Sequence, residues 1–359
     1  MSVHTQHSIV SVKPGRYHGW PANNGIWSWG DEILVGFTQG DYVQQKGHSI
    51  DGVQENHLAK SLDGGQTWRA YRPEGYFRDE HPKYRGDGKQ HLTTPLNFLD
   101  PQLVVKVFSQ GYHGTEDPVG GLFISQDRGD AWKGPYALTG LYDKEGLKGR
   151  ILSARTAYLA QSEDTCLFFV SAKPPVENEM GNRVGCVATN DGGRTFEFLS
   201  WVTPEDARAV AIMPQSVQVS EDVFVLAYRK IYKNKDGDDA IEIYTSEDRC
   251  RTWQFTSTVT ITKPHSNPPA LVRLSDGRIC CAYGHRNDHT IKAKFSEDDG
   301  RTWGSEIIVR DDYYKCHDSD RDLGYVSMIE RPDGRLVSVY YWATEAHPEQ
   351  HIAATIWES

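Results

Sequence analysis

The sequence predicts an all-β fold, a six-bladed propeller of four-stranded antiparallel blades whose last blade is closed by strands from both termini, within a single domain spanning residues 1–359. Three observations carry the prediction. A short acidic box recurs five times, as SLDGGQTW from Ser61, SQDRGDAW from Ser125, TNDGGRTF from Thr189, SEDRCRTW from Ser246 and SEDDGRTW from Ser296. The boxes lie 64, 64, 57 and 50 residues apart, the spacing of a repeat array rather than of scattered turns. Two or three short β-rich runs with turn signals between them precede each box, and helical periodicity is hardly visible.

Taken along the chain, the early run HSIVSV has no partner nearby and is left to complete a blade elsewhere. The fifth unit shows the blade pattern most openly: ALVRL, the turn SDGR, ICCAYG, then TIKAKF ahead of the box. After the last box YVSMIE, the turn PDGR, LVSVYYW and HIAATIW supply three strands, and HSIVSV is the expected fourth. Within a box, Ser or Thr and Asp side chains bond backbone N–H groups, Gly permits positive φ and the aromatic packs between blades, so the box reads as a turn staple rather than a catalytic element. Cys250 stands where the other boxes have Gly, which predicts strain or a changed turn type there.

Composition limits the function. A net charge of −10 argues against general attraction to nucleic acid or anionic lipid, while leaving room for a local basic pocket that captures an anion. No long apolar run suggests a membrane span, and MSVHTQHSIVSV has no signal-peptide pattern; the expectation is a cytoplasmic protein as written, secreted or periplasmic if a signal has been removed. The six Cys lack CxxC spacing and read as reduced structural thiols. CHDSDRD, from Cys316, lacks metal-ligand spacing and reads as a polar loop; KNKDGDD, from Lys233, reads as a hairpin turn. No metal or cofactor is expected, and the oligomeric state is left open.

Strand order locates a candidate site. If each box joins the third and fourth strands at one end of a blade, the opposite face is built from residues just before each first strand and just after each second strand. Those positions hold Arg16, Tyr17 and His18; His48 and Asp51; His91; His113; Arg155; Lys173; Arg229; His265 and Asn267; His285 and Arg286; Asp322 and Tyr325. Cations, His and Tyr are thereby expected to converge on a central pocket.

The boxes resemble the Asp-box (BNR) repeats of the sialidase superfamily, and the likeness extends over essentially the whole chain. GRYHGWPANNGIWSWGDEILVGF, NPPALVRLSDGRICCAYGHR and DLGYVSMIERPDGRLVSVYYW are similar to sialidase-like glycoside hydrolases. The resemblance implies an arginine cluster for a substrate carboxylate, a Tyr nucleophile paired with a Glu, and an acid/base Asp in a loop. Arg229 then resembles the second arginine, Arg286 the third, and Tyr325 the nucleophile. In GHSID the acid/base position falls to Asp51 or His48. The chain departs from the pattern where GWP places Gly19 at the first arginine, with only Arg16 near, and where Pro214 or Gln215 stands at the partner Glu. These departures argue against strict sialidase activity. The sequence therefore points to an exo-acting glycoside hydrolase for an acidic or uronate-bearing glycan, with His48, Asp51 and Tyr325 as catalytic candidates. Arg16, His18, Arg155, Arg229, His285 and Arg286 are the substrate-binding candidates. The alternatives are a polysaccharide lyase or rhamnosidase-type enzyme using His and Tyr, and a non-catalytic glycan-binding propeller using Trp20, Trp27, Trp29 and Trp342.

Overall fold

The structure is a computed structural model, and it describes residues 4–76, 88–109, 119–143, 145–153, 155–174, 181–232, 237–262, 267–315 and 321–358. Short antiparallel sheets follow one another around a central axis as six blades. The N-terminal strand β1 (Thr5–Ser11) lies outside its neighbours in sequence. Blade one contains β2 (Arg16–Gly19), the one-turn helix α1 (Pro21–Asn24), β3 (Ile26–Trp29), β4 (Glu32–Tyr42), β5 (Ile50–Ser61) and β6 (Arg69–Tyr71). Blade two has β7 (Val104–Phe108), β8 (Gly121–Ser125) and β9 (Lys133–Tyr136); blade three has β10 (Ile151–Ser153), β11 (Tyr158–Ala160), β12 (Cys166–Lys173), β13 (Arg183–Thr189) and β14 (Glu197–Trp201). Blade four has β15 (Ala209–Gln218), β16 (Phe224–Tyr232), β17 (Ala240–Ser246) and β18 (Gln254–Ile261). Blade five has β19 (Ala270–Arg273), β20 (Ile279–His285), β21 (Thr290–Ser296) and β22 (Ile307–Arg310). Blade six has β23 (Gly324–Glu330), β24 (Leu336–Thr344) and β25 (His347–Trp357), and β1 completes it by pairing antiparallel with β25 from Thr5↔Trp357 to Ser11↔Ile352.

The expected four-strand pattern holds in blades four to six. Blade two shows three strands among the described residues, and the inner strands of blades one and three are each broken in two, β2 and β3 both pairing with β4, β10 and β11 both pairing with β12. The blades meet through apolar layers, such as the group of Leu226, Phe169 and Tyr228 between blades three and four. The described cysteines are free and buried within these layers. Among the described residues no helix is long and apolar enough to cross a membrane.

Each box is a closed hydrogen-bonded turn. The Ser or Thr hydroxyl that opens it accepts from the N–H four residues on, at Gly65, Gly129, Gly193, Cys250 and Gly300, at 2.8 to 2.9 Å. The Asp accepts from the backbone ahead of the aromatic, as Asp298 Oδ1 does from Thr302 N–H at 2.8 Å. The turn also clasps the preceding blade. Ser8 donates to the Gly65 carbonyl at 2.8 Å, Tyr71 to that of Gly129 at 3.1 Å, Ser200 to that of Cys250 and Ser257 to that of Gly300, each donor coming from the outer strand of the blade before. Cys250 does not change the turn: it takes φ of +63° and stays buried, so neighbouring packing imposes the left-handed conformation that Gly adopts in the other copies.

Two outcomes follow. Asp298→Ala removes the acceptor of Ser296, Thr302 N–H and Thr302 hydroxyl bonds and should lower stability by about 1 to 3 kcal/mol in denaturant titration. At the seam of blades one and six, His18 and His351 are almost wholly buried, and burial, ahead of neighbouring cations, lowers both from an ordinary 6.5 to about 4. Between those values the unfolded chain binds protons that the folded chain refuses. Their contribution is therefore complete above pH 6.5 and lost as pH falls through about 4, a loss of about 3 kcal/mol for each. Thermal melts from pH 7 to 4 should show the decline, and His351→Gln should flatten it.

Candidate active site

Breaks in the inner strands carry the side chains that matter. Inner strands converge on the axis, where regular pairing would turn their side chains alternately into the blade interfaces. Trp20, Met213 and Tyr325 instead take φ of +58°, +56° and +50°, conformations uncommon for residues with a side chain. The β15–β16 register shifts between Ile212 and Gln215, and the β23–β24 register between Gly324 and Ser327. Arg155 lies in the gap between β10 and β11. Gly284 and Gly324 allow the Tyr325 kink: a Cβ built on Gly284 would come within 2.9 Å of the Gly324 Cα, and one on Gly324 within 2.8 Å of Asn267 Oδ1. That Asn267 oxygen accepts the Tyr325 N–H at 3.2 Å.

The residues so placed form one network. Asp322 is its buried hub, accepting from Tyr341 OH at 2.8 Å and Ser49 N–H at 3.1 Å and facing His48 Nδ1 at 2.7 Å. Arg286 donates to Tyr341 OH at 3.1 Å and lies 5.8 Å from the centre of the Tyr325 ring. Arg229 donates to Tyr325 OH at 3.4 Å. Arg155 reaches the Met213 carbonyl and Gln215 Oε1 at 3.4 and 3.3 Å. The rings of His48 and Tyr325 are 6.1 Å apart and nearly perpendicular, and Trp20 stands 4.9 Å from His48. Trp20 Nε1 also points at His48 Nδ1, at 3.4 Å. One nitrogen cannot both accept from the indole and donate to the carboxylate. The shorter contact with buried Asp322 makes Nδ1 the donor, which leaves Nε2 of a partly exposed ring for proton exchange.

The electrostatics agree with this assignment. Burial alone would raise Asp322, but His48, Arg286 and the Tyr341 hydrogen bond hold it below the ordinary carboxylate value. Burial and then the Asp322 charge push the Tyr341 and Tyr17 phenols well up. Burial opposes the charge of Arg286, yet Tyr341, Tyr325 and Asp322 more than offset it and raise its pKa. Among the described residues, no group of three or more His, Cys, Asp or Glu side chains is placed to hold a metal ion.

Of the residues singled out in the sequence, His48, Arg155, Arg229, Arg286, Asp322 and Tyr325 come together. Strand register sets them away from the boxes: Phe224 pairs with Ser246 at the box end of β16, while Arg229 pairs with Ile241, and Ile279 pairs with Ser296, with Arg286 just beyond the far end of β20. Other candidates lie elsewhere. Arg16 is tied to Asp41 and Glu55. His18 is sealed beside Gln350 and His351. His285 is held by Asp288 at 3.2 Å within its own loop. Asp51 is exposed and accepts from the Gly52 N–H. His91 contacts Thr139, and Lys173 is buried at the end of β12. His113, His265, Lys233–Asp236 and Cys316–Asp320 lie outside the described residues. Trp27 bonds Tyr158, Trp29 lies under Arg128 and Trp342 is fully buried against Asp312, so Trp20 alone of the four proposed stacking tryptophans stands in the cluster. Tyr341 was not a candidate: in LVSVYYW it is indistinguishable from its apolar neighbours, and only the fold shows that the Asp322 carboxylate faces it.

The sequence matches the BNR repeat-like domain over residues 78–339. No curated protein matches it. Among solved structures, a protein of unknown function from Dyadobacter fermentans is 19% identical, with 99% of each chain covered and a TM-score of 0.70. The Hadza microbial sialidase Hz136 is 14% identical over 94% of this chain and 65% of its own, at a TM-score of 0.59. The GH93 α-L-arabinofuranosidase of Fusarium graminearum is 12% identical over 96% and 93%, at 0.57. At these identities the likeness is one of fold.

Asp322→Asn keeps the shape of the hub but removes the carboxylate that faces His48 and offsets Arg286. Urea denaturation should report a loss of about 3 to 5 kcal/mol, the cost of breaking a buried charge pair. Tyr341→Phe, which deletes the hydrogen bond to Asp322 and the one from Arg286, should cost about 2 to 4 kcal/mol.

Proposed function

The chain belongs to the BNR repeat-like family, and from this we propose that it is a sialidase-like glycoside hydrolase, exo-acting on an acidic or uronate-bearing glycan. The observation that carries the reading is the charge at the cluster. Among the described residues, Arg229 and Arg286 meet at Tyr325 beside one buried hub carboxylate, Asp322, which already faces His48. Such an excess of guanidinium in a poorly solvated place favours an anionic ligand, and the planar fork of Arg matches a carboxylate with two parallel bonds. The sialidase and arabinofuranosidase chemistry of proteins sharing the fold gives the reaction class by analogy.

In this reading Arg229 and Arg286 grip the sugar carboxylate. His48 Nε2 gives its proton to the glycosidic oxygen as the bond to the anomeric carbon breaks, and Asp322 stabilises and orients the imidazole through Nδ1. Tyr325 stands on the sugar side of Arg229. Attack by its oxygen, with the phenolic proton released to solvent, yields a glycosyl intermediate that water then opens as His48 takes the water's proton, with retention; direct attack by water gives inversion. Of Pro214 and Gln215, where the family resemblance implies an acidic partner, neither is acidic, and Gln215 accepts from Arg155.

One feature favours a second reading, uronate elimination: the hydroxyl of Tyr325 is held by Arg229, with no carboxylate bonded to it among the described residues. There Tyr325, acting as the phenolate, would take the C5 proton next to the arginine-neutralised carboxylate, the bond from C4 to the oxygen of the leaving sugar would break, the His48 imidazolium would protonate that departing oxygen and a C4–C5 double bond would remain. A panel of sialylated and uronate-containing glycans separates these outcomes. Hydrolysis gives a product carrying one oxygen from labelled water. An ultraviolet-absorbing unsaturated product would replace it by elimination, and binding without turnover across the panel would leave only glycan recognition. With a substrate found, Arg229→Lys or Arg286→Lys should lower kcat/KM by about 10- to 100-fold, a transition-state loss of about 1.5 to 3 kcal/mol. Neutral analogues should lose little.

A further inference from the structure

Below the His48–Tyr325 network a second space runs along the propeller axis, a cavity of about 190 Å³ bounded by the inner strands. Its lining includes Arg155, Thr156, Gln215 and Ser327 as polar groups, with Trp27 and Tyr158 joined by a 3.0 Å hydrogen bond in its wall. His48, Arg229, Arg286 and Tyr325 do not line it.

Arg155 is the anomaly here. It is 4% exposed. Its two hydrogen bonds are long and go to neutral acceptors, the Met213 carbonyl and Gln215 Oε1, at 3.4 and 3.3 Å. Its Nε is buried without a hydrogen-bond partner, and among the described residues no Asp or Glu is paired with it. Burial pulls the guanidinium down to about 10, which still leaves it charged at neutral pH. A buried cation with no counter-charge costs several kcal/mol, and an anion placed against it in a low-dielectric space regains much of that cost. The other lining groups suit such a guest. Gln215 turns its oxygen to Arg155, which leaves its amide N–H groups as donors, and Thr156 and Ser327 supply hydroxyls. The volume admits several waters, or a small anion with part of its hydration.

We infer that this axial cavity is an anion site in which Arg155 and Gln215 hold a carboxylate-sized monoanion, separate from the arginines of the upper network. The anion is either free in solution or a carboxylate carried down the axis by a bound sugar. The site does not depend on the hydrolase reading.

Sodium formate is the probe. Thermal unfolding of the full chain is followed during a formate titration at constant ionic strength, for the native sequence, Arg155→Gln and Arg155→Lys. The native Tm should rise by a few degrees and saturate, as ligand linkage requires. Arg155→Gln should show no response and should melt no lower than the native chain without formate, because it removes an uncompensated buried charge. Arg155→Lys, which keeps the charge, should keep part of the response. No rise in the native chain, a parallel rise in Arg155→Gln, or a formate-free Tm of Arg155→Gln well below native would each overturn the site. Calorimetric titration with D-glucuronate then identifies the source. Weakening of about tenfold by saturating formate shows that the sugar's own carboxylate fills the cavity; a change within about twofold shows a free anion. Absence of glucuronate binding would count against the substrate class proposed above and leave the formate result standing.

Discussion

The pairing of β1 with β25 is the constraint on which the molecule depends. A propeller blade buries its faces only against neighbours, so an open ring would leave two apolar faces in water. Seven residues from the start of the chain complete blade six, and Ser8 in that strand reaches on to the Gly65 carbonyl of blade one. The seam therefore has a ladder bond on one side and a clasp on the other. Blades two, four and five use the same clasp through Tyr71, Ser200 and Ser257. The repeated box is thus more than a tight turn: its carbonyl is the point at which each of these blades is fastened to the one before.

A closed ring makes the axis useful. Blades one, three, four, five and six each contribute to the network, and no two of its principal groups are close in sequence except Asp322 and Tyr325. The contribution is made by breaking inner strands rather than extending them. Non-Gly residues in left-handed conformations cost of order 1 to 3 kcal/mol each, and three of them, Trp20, Met213 and Tyr325, surround the cluster. The remaining ring, with its paired outer strands and clasps, holds them there.

The two ends of the blades handle charge in opposite ways. In the boxes, Asp63, Asp127, Asp191, Asp248 and Asp298 are surrounded by local hydroxyl and N–H donors that lower their pKa values. Each is satisfied within its own turn and has no call for a ligand. Near the axis the groups are shared between blades and, among the described residues, the cations outnumber the carboxylates and Arg155 has only neutral acceptors. Local completeness marks the structural end, and unmet charge marks the end where binding is expected.

How much of this was legible in the sequence depended on how local the cause was. The boxes, the turns SDGR and PDGR and the alternating runs act over a few residues, so box number and spacing gave the propeller, and the unpaired HSIVSV gave its closure. Arg229, Arg286, Tyr325 and His48 were found because strand order alone assigns them to the end away from the boxes. Side-chain direction was not accessible in the same way. Tyr17 and His18 are adjacent, yet one faces the network and the other the seam with blade six; Arg16 meets Asp41 and Glu55, which only strand pairing brings near. Tyr341 read as core, and Asp322 as part of a polar loop or a rim position, because a buried carboxylate becomes a hub only when His48, Ser49 and Tyr341 arrive from 19 to 274 residues away. The sequence by itself determined the repeat, the ring and the end of the ring at which Arg229, Arg286, His48 and Tyr325 gather, since each follows from short-range patterning. Tertiary structure alone decided which of the gathered charges meet and which, like Arg155, are left to face the axis, since that depends on where kinked inner strands from different blades bring their side chains together.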